Sequence, residues 1–329
     1  MSTLKVEVVP VVLTKHPDAD MLSIAIVKGW QCVVKTSDFE GVALGAYIPI
    51  DSVLPETPEW EFLRPRKFRV KTIKLRGALS QGLLIPAKPG WNEGDDVTEE
   101  LGVKKYEPPE PVHLAGKMAK DVPGFDIYTD IENWKNYPDV FEDGEEIIIT
   151  EKIHGTNFRV GIIDGKFCVG THKTVRNAEE SDDIYCEISR SFNIKDILEN
   201  FVIKTDIEGK DIILYGEIYG GRIQKGFGYG EKKPSVRFFD LKVDGRFIEY
   251  DFLEMSLREM ELPIVPLLYR GPYSKQVLSL ASGKDFSGNH IREGIVIKPL
   301  KESLSLGLGR KILKFISDEY LLKDQSDWH

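Results

Sequence analysis

The chain has 329 residues, 41% apolar and 29% charged, with a net charge of −9. This is a globular composition, long enough for two domains, and no apolar run approaches the roughly 18 residues needed to span a bilayer. The N-terminal stretch MSTLKVEVVPVVLTKHPDAD carries no cleavable signal pattern, since Pro10 breaks its apolar run and charge follows. Three widely spaced cysteines, Cys32, Cys168 and Cys186, argue against a disulfide framework or zinc knuckle and fit a reducing, cytoplasmic setting. With an acidic overall balance, nucleic-acid binding would have to come from a local basic patch.

Residues 1–105 read as β-rich. KVEVVPVVL, LSIAIVKGWQCVVK, GAYIPI, FRVKTIKL and GLLIPA are short β-branched runs separated by Gly, Pro and Asp turns. They predict a small all-β barrel, and the OB-fold is the commonest such barrel that binds nucleic acid. Trp30, Trp60 and Trp91 read as core, although Trp60 could stack on a base, and His16 reads as a turn residue. Residues 64–76, RPRKFRVKTIKLR, hold seven basic residues and no acidic one. They read either as a guarded strand edge or as a β-ribbon that tracks phosphates, with Arg66, Arg69 and Lys71 as candidate RNA contacts. Residues 106–124, with Pro108, Pro109, Pro111 and His113, read as a linker.

From 125 to 329 the pattern is mixed. Apolar residues at helical spacing occur over 182–201 and 272–281. Between and after them lie EEIIITEK, FRVGIID, KFCVGT, DIILYGEIYG, SVRFFDLKVDG, REGIVIKP and RKILKFI, which read as strands. The expected architecture is an α+β, mostly antiparallel domain. Trp134 reads as core or as a base-stacking residue, and His290 as a loop residue.

Four of these strands end in charge where a half-buried sheet should be apolar: Lys152, Glu217, Glu293 and Lys314. Such charges are costly unless paired or used. If they converge, they could serve a phosphate, a divalent metal and a nucleophilic amine. Lysine attacks only when neutral, so Lys152 would need desolvation or nearby positive charge, which Lys298, Lys314 and Mg²⁺ could supply. The alternative is that Lys152 is a structural ion-pair partner of Glu151 or a nearby acid.

In order, EKIHGTNF, LYGEIYGGRIQKGFGYG, VRFFDLKVDG, REGIVIKP and KILKFISDEY resemble the nucleotidyltransferase motifs of ATP-dependent RNA ligases, notably those of the second phage type. These have x-His-Gly after the lysine where DNA ligases and capping enzymes have x-Asp-Gly. HPDADMLSIAIVKGWQCVV and LRGALSQGLLIP look like the N-terminal OB module of type five RNA ligases. The resemblance implies two domains, an OB-fold barrel and a nucleotidyltransferase domain of the ligase and capping-enzyme type. It implies ATP and Mg²⁺ or Mn²⁺ as cofactors. It also implies RNA 5′-phosphate and 3′-hydroxyl ends as partners, in a nicked duplex or RNA/DNA hybrid, and a monomer without membrane attachment.

By the same resemblance Lys152 would take AMP from ATP. Glu151 and Ile153 would line the adenine pocket, and Asn157 would contact substrate. Phe239 would stack on adenine. Glu217 would hold the ribose or a metal-bound water, and Glu293 the metal. Lys298 and Lys314 would contact the α-phosphate. Two departures stand out. The family's Lys-x-Lys is replaced by Lys311 and Lys314, three apart, so that one lysine is lost or a bulge re-aims Lys311. An arginine usual about twenty residues after the nucleophile is matched only by His172 or Arg176. Fifteen residues follow Lys314, which predicts no second OB domain of the kind found in DNA ligases and capping enzymes. The contrasting reading is a non-catalytic nucleic-acid-binding protein built on a degenerate transferase domain.

Overall fold

The structure is a computed structural model that describes residues 4–107, 116–205, 210–221, 223–224 and 226–322. It divides into two units: Met1–Pro109 with Trp134–Pro138 and Leu321–His329, and Glu110–Asn133 with Asp139–Tyr320. Of the expected linker, 108–115, including His113, lies outside the described residues. Residues 116–124 lie along the second unit, where the Ala119 N–H donates to the Val175 carbonyl at 2.9 Å.

The first unit is built from short antiparallel strands. Leu13–Lys15, Leu22–Val27 and Trp30–Lys35 form a meander, while Leu44–Ile48 lies between Glu7–Pro10 and Leu83–Pro86. Thr72–Leu75 and Ala78–Gln81 form a hairpin. Its two central residues, Arg76 and Gly77, have φ of 46° and 85°, the left-handed pair that a two-residue hairpin turn needs. Trp30, Trp60 and Trp134 are buried, and Trp91 is half-buried against the same core as Trp60. His16 is fully buried and bridges the Leu75 carbonyl and the Asp18 N–H.

The basic stripe is not one ribbon. Pro58–Arg66 forms a 3₁₀ helix that buries Trp60 and Leu63, whose three-residue spacing matches its turn. Lys67 and Phe68 then take left-handed φ of 53° and 59°, and the strand starts only at Thr72. Arg69 is buried against Asp51 at 2.6 Å and over the Tyr106 ring at 3.7 Å, so its guanidinium faces partners within the domain. Arg64 pairs with Glu61. Arg66, Lys67, Lys74 and Arg76 remain exposed, and Lys71 half-exposed.

The second unit has two sheets. A six-stranded antiparallel sheet runs Val175–Arg176, Lys166–Gly170, Thr156–Ile163, Ile212–Gly220, Pro234–Val243, Arg246–Phe247. A five-stranded mixed sheet runs Glu132–Asn133, Leu313–Ile316, Gly294–Pro299, Glu146–Lys152, Leu267–Pro272. The helical pattern over 182–201 splits into Ile184–Ser191 and Ile194–Lys204, because Asn193 between them is left-handed at φ 51°. Their apolar faces pack with Phe158, Leu214, Val236 and Phe238. Over 272–281 the chain makes a 3₁₀ turn, Lys275–Ala281, in which the Ser279 hydroxyl donates to the Gln276 carbonyl, a local bond that competes with helix. The sequence reading did not foresee the helix Tyr250–Glu259. Among the described residues no helix is long and apolar enough to cross a membrane.

Candidate functional site

Residues from both sheets of the second unit line a cleft of about 200 Å³, among them Lys152, Asn157, Glu217, Lys298 and Lys314. Ile147, Ile148 and Ile149 are buried in the centre of their strand and carry it to Lys152 at its end. There the Lys152 Nζ lies 2.7 Å from Glu293 Oε1. Glu293 precedes Gly294, which pairs with Lys152 across the ladder. Burial alone would lower the Lys152 amine, but Glu293 and Glu217 outweigh it and hold the amine above its usual range. The expectation of an amine depressed by Lys298 and Lys314 is therefore not met. The reason is local: Lys298 is compensated by Asp240, and two carboxylates face Lys152.

Glu217 stands directly opposite Asn157 in the sheet, so the two side chains share a face. Burial, opposed by Lys152 and reinforced by Glu293, pushes the Glu217 carboxyl up to about 8. Its folded value lies above the ordinary 4.5. The stability it contributes is therefore complete below about 4.5 and lost as pH rises through about 8. Glu217→Gln, which has no proton to lose, should fall less in stability over that interval, by on the order of 1–2 kcal/mol after allowing for its partial solvent contact. Melting curves from about pH 5 to about pH 8.5 check this. A wild-type-to-variant difference that stays constant with pH would refute it.

The loop after Lys152 is closed by packing. A Cβ on Gly155 would sit 2.1 Å from the Ile218 carbonyl, so only glycine allows this strand-to-strand approach. His154 is buried; its backbone N–H donates to the Tyr229 hydroxyl at 2.7 Å, and its ring lies 4.9 Å from that of Phe227. Asn157 Oδ1 is buried without a hydrogen-bond partner among the described residues and belongs to a side chain that lines the cleft.

Pairing between Ile212–Gly220 and Pro234–Val243 runs from Asp240 opposite Tyr215 to Phe238 opposite Gly216, leaving Phe239 as the extra residue of a bulge. The bulge re-aims side chains. Phe238 stays in the helix-side core, while Phe239 meets Tyr128 edge-on at 4.9 Å and lines the cleft. Asp240 is buried and collects three donors: the Tyr128 hydroxyl, Lys298 Nζ at 2.7 Å and Arg310 at 2.8 Å. Burial would raise this carboxyl, but Lys298 and Arg310 hold it below its usual range. Lys298 also donates to the Phe239 carbonyl at 3.0 Å.

The cleft gathers Lys152, Glu151, Ile153, Asn157, Glu217, Phe239, Lys298, Lys314 and His172 of the candidates. Glu293 adjoins it through Lys152. The Glu151 carboxylate turns away, accepting from the Phe286 N–H and Arg292. His172 faces Asp130 at 3.4 Å, and both line the cleft. Arg176 is buried beside Asp183, the N-cap of a helix, and Lys311 pairs with Glu145 at 2.7 Å; neither lines the cleft. Ile312, at the position of the missing lysine, is buried core. Tyr128, Asp130, Asp240 and Arg310 were not singled out in the sequence; only the Phe-Asp pair in VRFFDLKVDG hinted at one of them.

Among the described residues no group of three or more His, Cys, Asp or Glu side chains could enclose a metal. Glu293 lies 2.7 Å from the Lys152 amine, and Glu217 lines the same cleft as Lys152. This hard-oxygen donor pair fits a divalent ion that keeps most of its water, such as Mg²⁺ or Mn²⁺.

A family model for RNA ligases matches residues 145–316, and one for an OB-fold domain matches residues 5–87. No curated protein sequence matches the chain. Among solved structures, a mutant of Naegleria gruberi RNA ligase with ATP and Mn is 26% identical, at a TM-score of 0.83 over 96% of this chain and 97% of that one. The same organism's RNA ligase with PPi is 26% identical, at a TM-score of 0.83 over 97% and 98%. A mutant of it with AMP and Mn is 25% identical, at 0.82 over 96% and 97%. The first unit is thus an OB-fold domain, and the chain as a whole belongs to the RNA ligase family.

Proposed function

We propose that this RNA ligase is ATP-dependent and works through a covalent lysyl–AMP on Lys152, with domains at 1–105 and 125–329. The observation that carries the reading is the convergence of Lys152, Glu217, Lys298 and Lys314 on one cleft, with Glu293 2.7 Å from Lys152. The apolar part of the cleft, with Ile153, Val265 and Phe239, takes the adenine, and Phe239 stacks on it. Asn157, whose buried oxygen has no partner among the described residues, accepts a hydrogen bond at the nucleotide or RNA end.

In the first step Lys152 Nζ loses its proton and forms an N–P bond to the α-phosphorus. The α–β P–O bond breaks and pyrophosphate leaves. In the second, an oxygen of an RNA 5′-phosphate attacks that phosphorus, the N–P bond breaks and the amine regains a proton. In the third, an RNA 3′-hydroxyl attacks the 5′-phosphate and AMP leaves. Lys298 and Lys314 orient the phosphates and offset the charge that develops on their oxygens. Glu217 and Glu293 would hold a divalent ion, which would supply positive charge at the phosphates and offset the carboxylate charge that otherwise retains the Lys152 proton. Arg310 and the Tyr128 hydroxyl share Asp240 with Lys298, so the carboxylate would keep partners if Lys298 turned to a phosphate.

The test is incubation with α-labelled ATP and Mg²⁺ followed by denaturing electrophoresis. Wild type should carry an acid-labile label and pass it to 5′-phosphorylated RNA in a nicked duplex or RNA/DNA hybrid. Freshly purified protein that takes no label, and whose mass shows no AMP already attached, would defeat the reading.

The OB-fold domain holds the substrate backbone through the cations that remain exposed. Changing Lys71, Lys74 and Arg76 together to alanine should leave self-labelling intact and weaken sealing. The slope of log affinity against log salt should shrink by about 2. Unchanged sealing and slope would remove this domain's basic hairpin from the substrate path.

A further inference from the structure

The nucleophile stands between two segments that are both fastened to the same short piece of chain. On one side, Glu293, the partner of Lys152, accepts through its carbonyl from the Ser317 N–H at 2.8 Å. On the other, the loop after Lys152 carries His154, whose Nδ1 lies 2.7 Å from the Tyr320 hydroxyl. Tyr320 is 1% exposed and belongs to the short helix Asp318–Leu321. The Gln224 amide nitrogen donates to the Gly155 carbonyl at 2.8 Å, one residue further along the same loop.

The Tyr320 hydroxyl and the Gln224 amide thus fasten adjacent residues of the loop, His154 through its ring and Gly155 through its carbonyl. The backbone of His154 is held separately by Tyr229, and its ring by Phe227 and Tyr320. A buried, neutral histidine suits this place: burial lowers its pKa, and the ring needs one donor and one acceptor site.

Resting on the lysyl–AMP reading, we infer that Tyr320 is a positioning residue for the nucleophile, acting through His154 to set the loop that follows Lys152. Ser317, three residues earlier, seats Glu293 from the same segment. Docking of 317–320 therefore aligns the amine and its carboxylate partner together. Tyr320 is not among the residues that line the cleft, so its loss misaligns the amine without emptying the nucleotide pocket, and the cost falls on the chemical step.

Tyr320→Phe removes one hydroxyl and keeps the ring packing. The rate of lysyl–AMP formation at saturating ATP should drop about tenfold, while the ATP concentration for half-maximal rate changes less than about twofold. In parallel, the ¹⁵N signals of the His154 imidazole should shift between wild type and Tyr320→Phe, because the hydroxyl partner of Nδ1 is gone. A merely structural tyrosine would shift the melting temperature but leave the imidazole signals and the rate at saturation unchanged. An unchanged saturating rate, a loss confined to half-saturation, or unchanged imidazole signals would overturn the inference. If wild type takes no label at all, the nucleotide reading has failed. The imidazole signals then decide: signals unaltered in Tyr320→Phe overturn the positioning contact as well.

Discussion

Lys152→Ala should take no label from α-labelled ATP under conditions where wild type is fully labelled, and should still bind 5′-phosphorylated RNA. Of the other amines, Lys298 lines the cleft but is paired with Asp240 and the Phe239 carbonyl, and Lys311 lies outside the cleft lining, paired with Glu145. Lys152 alone combines a strand-end position with two carboxylates that can exchange it for a cation. The same carboxylates hold its proton. They hold the amine above its usual range, so the protonated form prevails near neutral pH. Labelling at fixed metal and ATP should therefore rise as pH is raised from about 6.5 to about 9, and rise more steeply when metal is scarce. Restoring length without the neutral amine, as in Lys152→Arg, should not restore label, because a guanidinium does not deprotonate. A labelled Lys152→Ala protein would move the nucleophile elsewhere, and a pH-independent rate would separate the ion pair from the chemical step.

The charges that break strand patterns were the most legible feature of the sequence. Lys152 and Glu217 each interrupt or end an apolar run and Glu293 immediately precedes one; the structure brings them together because adjacent strands align them: Lys152 with Gly294, Asn157 with Glu217. What pattern could not show was which charges already have partners. Arg69 and Arg176 read as available cations, yet Asp51 and Asp183 neutralise them from positions no periodicity links to them. Seven basic residues within 64–76 read as a guarded strand edge or as one ribbon. Trp60 and Leu63 turned the first part into a 3₁₀ helix instead, an outcome decided by burial against Phe68 and Val70. The bulge at Phe239 was equally hidden, since it is a property of register with Ile212–Gly220. Arg310 sits in SLGLGR, which reads as a turn, and its role emerges only when the turn folds back on Asp240.

That fold-back makes Asp240→Ala the most destabilising single change expected in the second unit. Asp240 is 1% exposed and is shared by Lys298, 5% exposed, and Arg310, 8% exposed. Removing it strands two buried cations, and only Arg310 keeps another carboxylate, Glu302. Loss of one member of such a buried set costs about 3–5 kcal/mol, because the remaining charge stays without compensation. The Tyr128 hydroxyl also loses its acceptor. The pH dependence follows from the sign of the shift. Asp240 titrates below its ordinary 3.8, so its contribution is present above that value and is lost as pH falls through the folded value. Wild type should thus lose stability in acid more steeply than Asp240→Ala, and their curves should converge there. Asp240→Ala/Lys298→Met removes the stranded ammonium along with its partner and should recover about 1–3 kcal/mol of the single-mutant loss. Recovery of stability without recovery of labelling would show that Asp240 supports the fold through Lys298 while Lys298 itself serves the phosphate. Urea unfolding of the four proteins of the cycle measures both quantities. Additive losses would mean that Asp240 and Lys298 are not coupled and that the buried network does not hold the site together.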